Sequence, residues 1–347
     1  MTLRLLTALL LGLICSRVAL AQDAPTDTAP TTDRELPAIN ELLEGESMTE
    51  PLLPECITIR DDPQRLECYD ELARRNQVSV TGTPLDTRII QEQETIDNSF
   101  SLIAHQPSYF LPFAYAKEPN EAPFAALPNA EELQLDNLEV KFQISFRVPL
   151  NRKFFFRNSH LWFGYTQLSL WQLYNKNDSA PFRETNYEPE LIWEFLVNKP
   201  FGDLKLTHLA LALNHQSNGR SEPLSRSWNR IYINSIWAYE KWIISFRPWY
   251  RLPESSADDD NPDIEDYMGN FDIRVGRKYD DHTFTAMFRS NLDLDNMHSF
   301  YELGYSYSIN RKFRGYIQFV NGYGESLIDY NYRTSRLSFG IMLNDWL

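Results

Sequence analysis

The sequence predicts an all-β protein: a transmembrane antiparallel β-barrel of about twelve strands with a short N-terminal periplasmic extension. Three observations predict it. From about Phe100 onward, apolar and polar side chains alternate in short stretches, so one face of each stretch meets oil and the other a polar space. The stretches run to ten residues or more, the length a tilted spanning strand needs, with tyrosine and tryptophan gathered toward their ends. The chain also opens on an export signal.

That signal is read over residues 1–21, where Arg4 supplies the positive start, Leu5 to Ile14 the apolar stretch, and Ala19-Leu20-Ala21 a small-x-small cleavage site. Residues 22–97 form an N-terminal leader. Its first part is rich in Pro, Thr, Asp, Glu and Ala and is expected to be poorly ordered. Cys56 and Cys68 follow, and in an oxidising compartment two cysteines are most simply a disulfide. On one straight helix they would stand ~18 Å apart, beyond bridging range. The Asp61-Asp62-Pro63 break permits the bend that closure needs, and Leu66, Tyr69 and Leu72 mark a short amphipathic helix over Arg65 to Arg75.

Residues 98–347 are assigned to the barrel. Phe142, Ile144, Phe146, Val148 and Leu150 share one parity, and Lys141, Gln143, Ser145 and Arg147 take the other. Leu337, Phe339, Ile341 and Leu343 repeat the pattern near the C-terminus. Twelve segments are expected, near 99–117, 138–150, 159–174, 187–199, 203–217, 227–239, 241–253, 267–279, 282–293, 298–309, 312–323 and 333–346. An even count suits closure. Beyond the signal no run approaches the ~18 apolar residues of a spanning helix. With 33 basic against 48 acidic side chains in 347 residues, the net charge of −15 speaks against a nucleic-acid partner and against a polybasic membrane-surface protein.

Chemistry concentrates in Asn214-His215-Gln216-Ser217-Asn218-Gly219-Arg220-Ser221 and, beyond it, Arg226-Ser227-Trp228-Asn229-Arg230. His215 and Ser217, two apart on a strand, project from one face, which is also that of Leu209, Leu211 and Leu213. Asn229 shares parity with Ile231 and Ile233. All three then point outward toward lipid, near the rim. A base within reach of a hydroxyl, held by a third group, is the constellation of nucleophilic ester cleavage. Asn229 can accept the Nδ1–H of His215 without placing an ionised carboxylate in lipid, and the Gly219 N–H is a candidate oxyanion donor. His208, of opposite parity, is the rival histidine.

The stretches PFRETNYEP, NHQSNGRSEPLSRSWNR, DDNPDIEDYMG, NGYGESLIDYNY and MLND resemble the outer-membrane phospholipase A family over about residues 99–347. The resemblance implies a twelve-stranded barrel in the Gram-negative outer membrane with a Ser-His-Asn site on its outer wall. It further implies calcium dependence, activation by dimerisation, and hydrolysis of sn-1 and sn-2 acyl esters of glycerophospholipids and lysophospholipids. By position, Ser217 is the nucleophile, His215 the base and Asn229 the orienting group. The family pattern gives calcium the Arg220 carbonyl, the Ser225 hydroxyl and Asp260, with Ser179 of the partner subunit reaching across. Glu222 stands where the family often has an aspartate, and Gln167 matches a glutamine of the family's dimer interface. Read from the residues alone, Asp258 to Asp260 is a solvated acidic loop. The alternatives are a non-enzymatic outer-membrane porin-like barrel and a soluble exported esterase.

Overall fold

The computed structural model describes residues 56, 58–69, 102–127, 134–156, 158–177, 180–310 and 313–344. The expected signal peptide, most of the leader and Ser179 lie outside the described residues. The chain divides into two units between residues 69 and 70. In the first, Cys56 and Cys68 are joined by a disulfide with their Cα atoms 5.7 Å apart. Asp61 starts the helical turns over 62–69: its carbonyl accepts from the Arg65 N–H and its carboxylate from the Gln64 N–H.

The second unit is a closed antiparallel barrel. A two-residue strand β1 (Ile103–Ala104) precedes β2 (Ser108–Ala116), β3 (Leu138–Arg152), β4 (Ser159–Trp171), β5 (Phe182–Phe201), β6 (Leu204–Ser217) and β7 (Ser227–Tyr239). β8 (Trp242–Arg251), β9 (Phe271–Tyr279), β10 (His282–Ser290), β11 (Ser299–Ser308), β12 (Arg314–Tyr323) and β13 (Arg333–Asn344) complete it. Each of β2 to β13 pairs with the next, and β13 returns to β2, so the twelve staves leave no free edge. β1 pairs with β3 through Ile103↔Arg147 and prolongs the first stave beyond a break at 105–107. The ladder shifts register where Pro112 and Pro149 cannot donate an N–H. A five-residue helix, Ile264–Met268, lies where the segment 267–279 was expected to be strand throughout, so β9 begins only at Phe271.

Parity sets the two faces. Ile144, Leu150, Leu211, Leu213, Leu303, Leu337 and Phe339 stand exposed on the outside, while Lys141, Ser145, Arg147, Arg336 and Ser338 are buried in the bore. An exposed apolar band of this kind is what acyl chains cover. The bore is filled rather than open. Glu139 accepts from Arg183 at 2.8 Å and lies 2.7 Å from Arg336, Glu325 pairs with Arg336 and Lys141 at 3.0 and 2.9 Å, and Arg183 also holds Asp329 at 2.9 Å. Glu325 and Asp329 belong to the loop 324–332, which folds inward with Leu327 and Ile328 buried and takes hydrogen bonds onto Asn186 and Glu184 of β5. Among the described residues the bore keeps a cavity of about 120 Å³ beside Lys141, Glu325 and Leu327 and one of about 90 Å³ beside Gln106, Arg247 and Arg274.

Loop length distinguishes the two ends. Short connections (153–158, 202–203, 240–241, 280–281, 309–313) close one end, and the longer ones (117–137, 172–181, 218–226, 252–270, 291–298, 324–332) gather at the other. The chemistry-bearing motif sits at the long-loop end.

Candidate active site

β6 and β7 are adjacent staves, and their register sets His215 directly opposite Asn229. The His215 Nδ1–H donates to Asn229 Oδ1 at 2.9 Å, the role being fixed because an amide oxygen only accepts. That leaves Nε2 as the available base. Ser217 is two residues further along the same face. Both point outward: Leu209, Leu211 and Leu213, of the same parity, are 37 to 50% exposed, while Ala210, Ala212 and Asn214 between them are buried. An open groove of about 410 Å³ runs beside the pair, lined by Phe163, Pro189, Leu191, Leu213 and Leu252 together with His215 and Asn229. Its walls are mostly apolar, with the His215 and Asn229 side chains among them, the character of a site for an acyl chain.

The other half of the motif faces the bore. Asn214 donates to Glu188 and Glu190 and accepts from Arg230, whose guanidinium lies 4.0 Å over Trp228. Gln216 accepts from the Trp228 indole at 2.8 Å. Alternate residues of one sequence motif thus present the outer site and brace the inner wall behind it. His208, the rival histidine, is buried on the bore side against Thr207.

The loop 218–226 is held by Asn218, whose side-chain oxygen accepts the N–H groups of Arg220 and Arg226 while its amide donates to the Leu224 carbonyl. Gly219 has φ +64°, and a Cβ there would come 3.2 Å from the Tyr187 ring, so the turn past Ser217 favours glycine. Tyr187 itself registers with Ser217. The Arg220 side chain turns away to the carbonyls of Phe182 and Arg183.

The acidic run divides three ways. Asp258 accepts from Ser255, Asp259 pairs with Arg251 at 2.6 Å, and only Asp260 meets the site, accepting from Ser225 Oγ at 2.5 Å. Glu222 joins it: its carboxyl is pushed up from its ordinary value, first by the hydrogen bond it shares with Asp260 and also by the charge of that neighbour. Two carboxyl groups and a hydroxyl converging at an exposed rim form an all-oxygen set that fits a hard divalent cation. Ser179 lies outside the described residues.

Gln167 points outward, half-buried, accepting from the Tyr165 hydroxyl at 3.1 Å and donating to Ser169 at 3.3 Å. Register connects it to the site in one row across four staves, Gln167↔Tyr187, Tyr187↔Ser217 and Ser217↔Ser227. Glu254 is a site residue that the sequence did not reveal: it accepts the Asn229 amide N–H at 2.8 Å.

A family model described as Phospholipase A1 matches residues 85–343. The chain belongs to the phospholipase A1 family. It is 41% identical to the phospholipase A1 of Klebsiella pneumoniae over 249 residues, which are 72% of this chain and 84% of that one. Its fold matches the outer membrane phospholipase A of Escherichia coli with TM-score 0.67 at 39% identity, covering 72% of this chain and all of that chain. It also matches the Salmonella typhi outer membrane phospholipase dimer with bound calcium with TM-score 0.68 at 37% identity, over 73% of this chain and 96% of that one. This family member is therefore an outer-membrane barrel enzyme, and its exposed apolar band accords with that setting.

Proposed function

We propose that the chain is a calcium-dependent outer-membrane phospholipase that hydrolyses sn-1 and sn-2 acyl esters of glycerophospholipids and lysophospholipids. The observation that carries the reading is the 2.9 Å His215–Asn229 hydrogen bond on the lipid-facing wall, beside an apolar groove. Long loops of such barrels face the exterior, which sets this groove at the level of the outer leaflet. Ser217 Oγ attacks the acyl carbonyl while His215 Nε2 takes its proton, and Asn229 keeps Nδ1–H aligned as the imidazolium forms. The same proton passes to the departing lysolipid oxygen. Water, deprotonated by His215, then attacks the acyl-serine ester and releases the fatty acid. The Gly219 N–H supplies a donor to the tetrahedral oxyanion.

Arg220 through its carbonyl, Ser225, Asp260 and the partner subunit's Ser179 would hold calcium, with Glu222 beside them. Bound there, the cation supplies positive charge near the oxyanion. A homodimer meeting at Gln167 completes the reading: an amide on a lipid-facing wall gains from a polar partner across a two-fold axis, and Gln167 lies in the row that leads to Ser217.

The test is a calcium-titrated phospholipase assay on detergent-solubilised protein, with a chelator control and Ser217→Ala. Hydrolysis that rises with calcium, vanishes on chelation and is lost in the variant supports the reading. A porin-like barrel predicts no hydrolysis and no effect of the substitution.

A further inference from the structure

We propose that Glu254 is a positioning residue that extends the site to a Ser217–His215–Asn229–Glu254 relay, an inference that rests on the reading of the site given above. An asparagine amide fits its place equally well with oxygen and nitrogen exchanged by a half-turn, and only the partners decide which faces the histidine. Glu254 decides it. A carboxylate only accepts, so it draws Asn229 Nδ2 at 2.8 Å and leaves Oδ1 to His215 at 2.9 Å. Oδ1 in turn accepts only, so Nδ1 carries the imidazole proton and Nε2 is free for Ser217. The loop that carries Glu254 is tied to the same residue, because the Leu252 N–H donates to the Asn229 carbonyl at 2.8 Å.

Glu254 also supplies what a neutral amide lacks, a negative charge one amide removed from the imidazolium. A loop at the rim can offer that charge with water at hand, where the lipid-facing strand could not. The other charged groups behind the site are engaged in the bore: Glu190 of β5 with His105 at 2.6 Å, and Arg230 of β7 with Glu188 at 3.0 Å.

Glu254→Gln, Asn229→Asp and the double variant are compared with wild type in detergent, with barrel assembly checked by heat-modifiable electrophoresis. A glutamine side chain can donate or accept, so Glu254→Gln no longer selects the amide orientation. Its kcat is expected to fall about 5- to 20-fold, less than outright loss of a bond to a charged group would cost because the glutamine still pairs with the amide, with KM and the half-saturating calcium unchanged. Asn229→Asp alone sets two carboxylates face to face and is impaired. Joined to Glu254→Gln, the new carboxylate accepts from both neighbours, and activity rises above either single variant. A wild-type kcat in Glu254→Gln, or a double variant no more active than the better single variant, overturns the relay. Glu254→Ala is read in the same way if Glu254→Gln does not assemble. Inactive wild-type protein, or an active Ser217→Ala, overturns the phospholipase reading instead.

Discussion

At position 229 a neutral amide stands where many esterases carry a carboxylate, and the lipid-facing setting is the reason: an ionised side chain there costs several kcal/mol, an amide much less. The amide is held by two hydrogen bonds, to His215 and to Glu254, and it gives the imidazole direction more than charge. Asn229→Ala is therefore expected to lower kcat by about 10- to 100-fold, as the loss of roughly 1.5–3 kcal/mol of orienting interaction implies, with barrel assembly unchanged. Steady-state kinetics on a soluble ester in detergent micelles would measure it, and an unchanged kcat would remove Asn229 from the mechanism. Residues of this kind were legible in the sequence because Leu209, Leu211 and Leu213 mark the outward parity that His215 and Ser217 continue. Glu254 was not. It reaches Asn229 across 25 residues of chain through a loop with no period, and nothing in its local sequence distinguishes it from the other acids of 252–270.

The strands depend on what fills the space between them. Glu139 of β3 is wholly buried between Arg183 of β5 and Arg336 of β13, at 2.8 and 2.7 Å, so one carboxylate fastens three staves. Glu139→Ala leaves two guanidiniums competing for Asp329 and Glu325 and is expected to destabilise the barrel by about 3–5 kcal/mol, as removal of one partner from a buried ion pair does. Glu139→Gln, which keeps the shape and one acceptor, costs less. Urea unfolding in detergent followed by tryptophan fluorescence gives the comparison, and equal midpoints for Glu139→Ala and wild type would show that the network contributes nothing. The staves themselves were readable to within a few residues at most ends, since the period of two is imposed by oil on one face and charge on the other. The misses have physical causes. The helix Ile264–Met268 is too short to show a helical period, the first stave is interrupted at 105–107, and Leu327 and Ile328 are an apolar pair in a loop whose inward fold depends on contacts with β5.

The whole molecule is an insulator with chemistry on its skin. Ion pairs and the loop 324–332 occupy the bore, and the reactive groups face outward, so substrate reaches them by diffusing in the bilayer plane rather than by passing through the barrel. A cell membrane must keep such an enzyme idle while intact, and under the proposed reading a site finished only by a second copy would provide that control through mass action, with activity following protein density and calcium. Gln167 is the residue that would report it. It stands on the lipid-facing wall two staves from Ser217, and its present partners, Tyr165 and Ser169, are its own strand neighbours at 3.1 and 3.3 Å. Gln167→Leu removes the polar contact while improving the fit to lipid, so the monomer is expected to assemble normally and to be no less stable. Its calcium-dependent crosslinked dimer should fall by about 5- to 10-fold, the equivalent of the ~1–1.4 kcal/mol that an interhelical or interstrand hydrogen bond in lipid contributes. Hydrolysis should fall with it at low protein-to-detergent ratio and recover as protein is concentrated. If instead the crosslinked fraction matched wild type, or activity fell without recovering at high concentration, Gln167 would belong to the monomer's wall and not to the contact between copies.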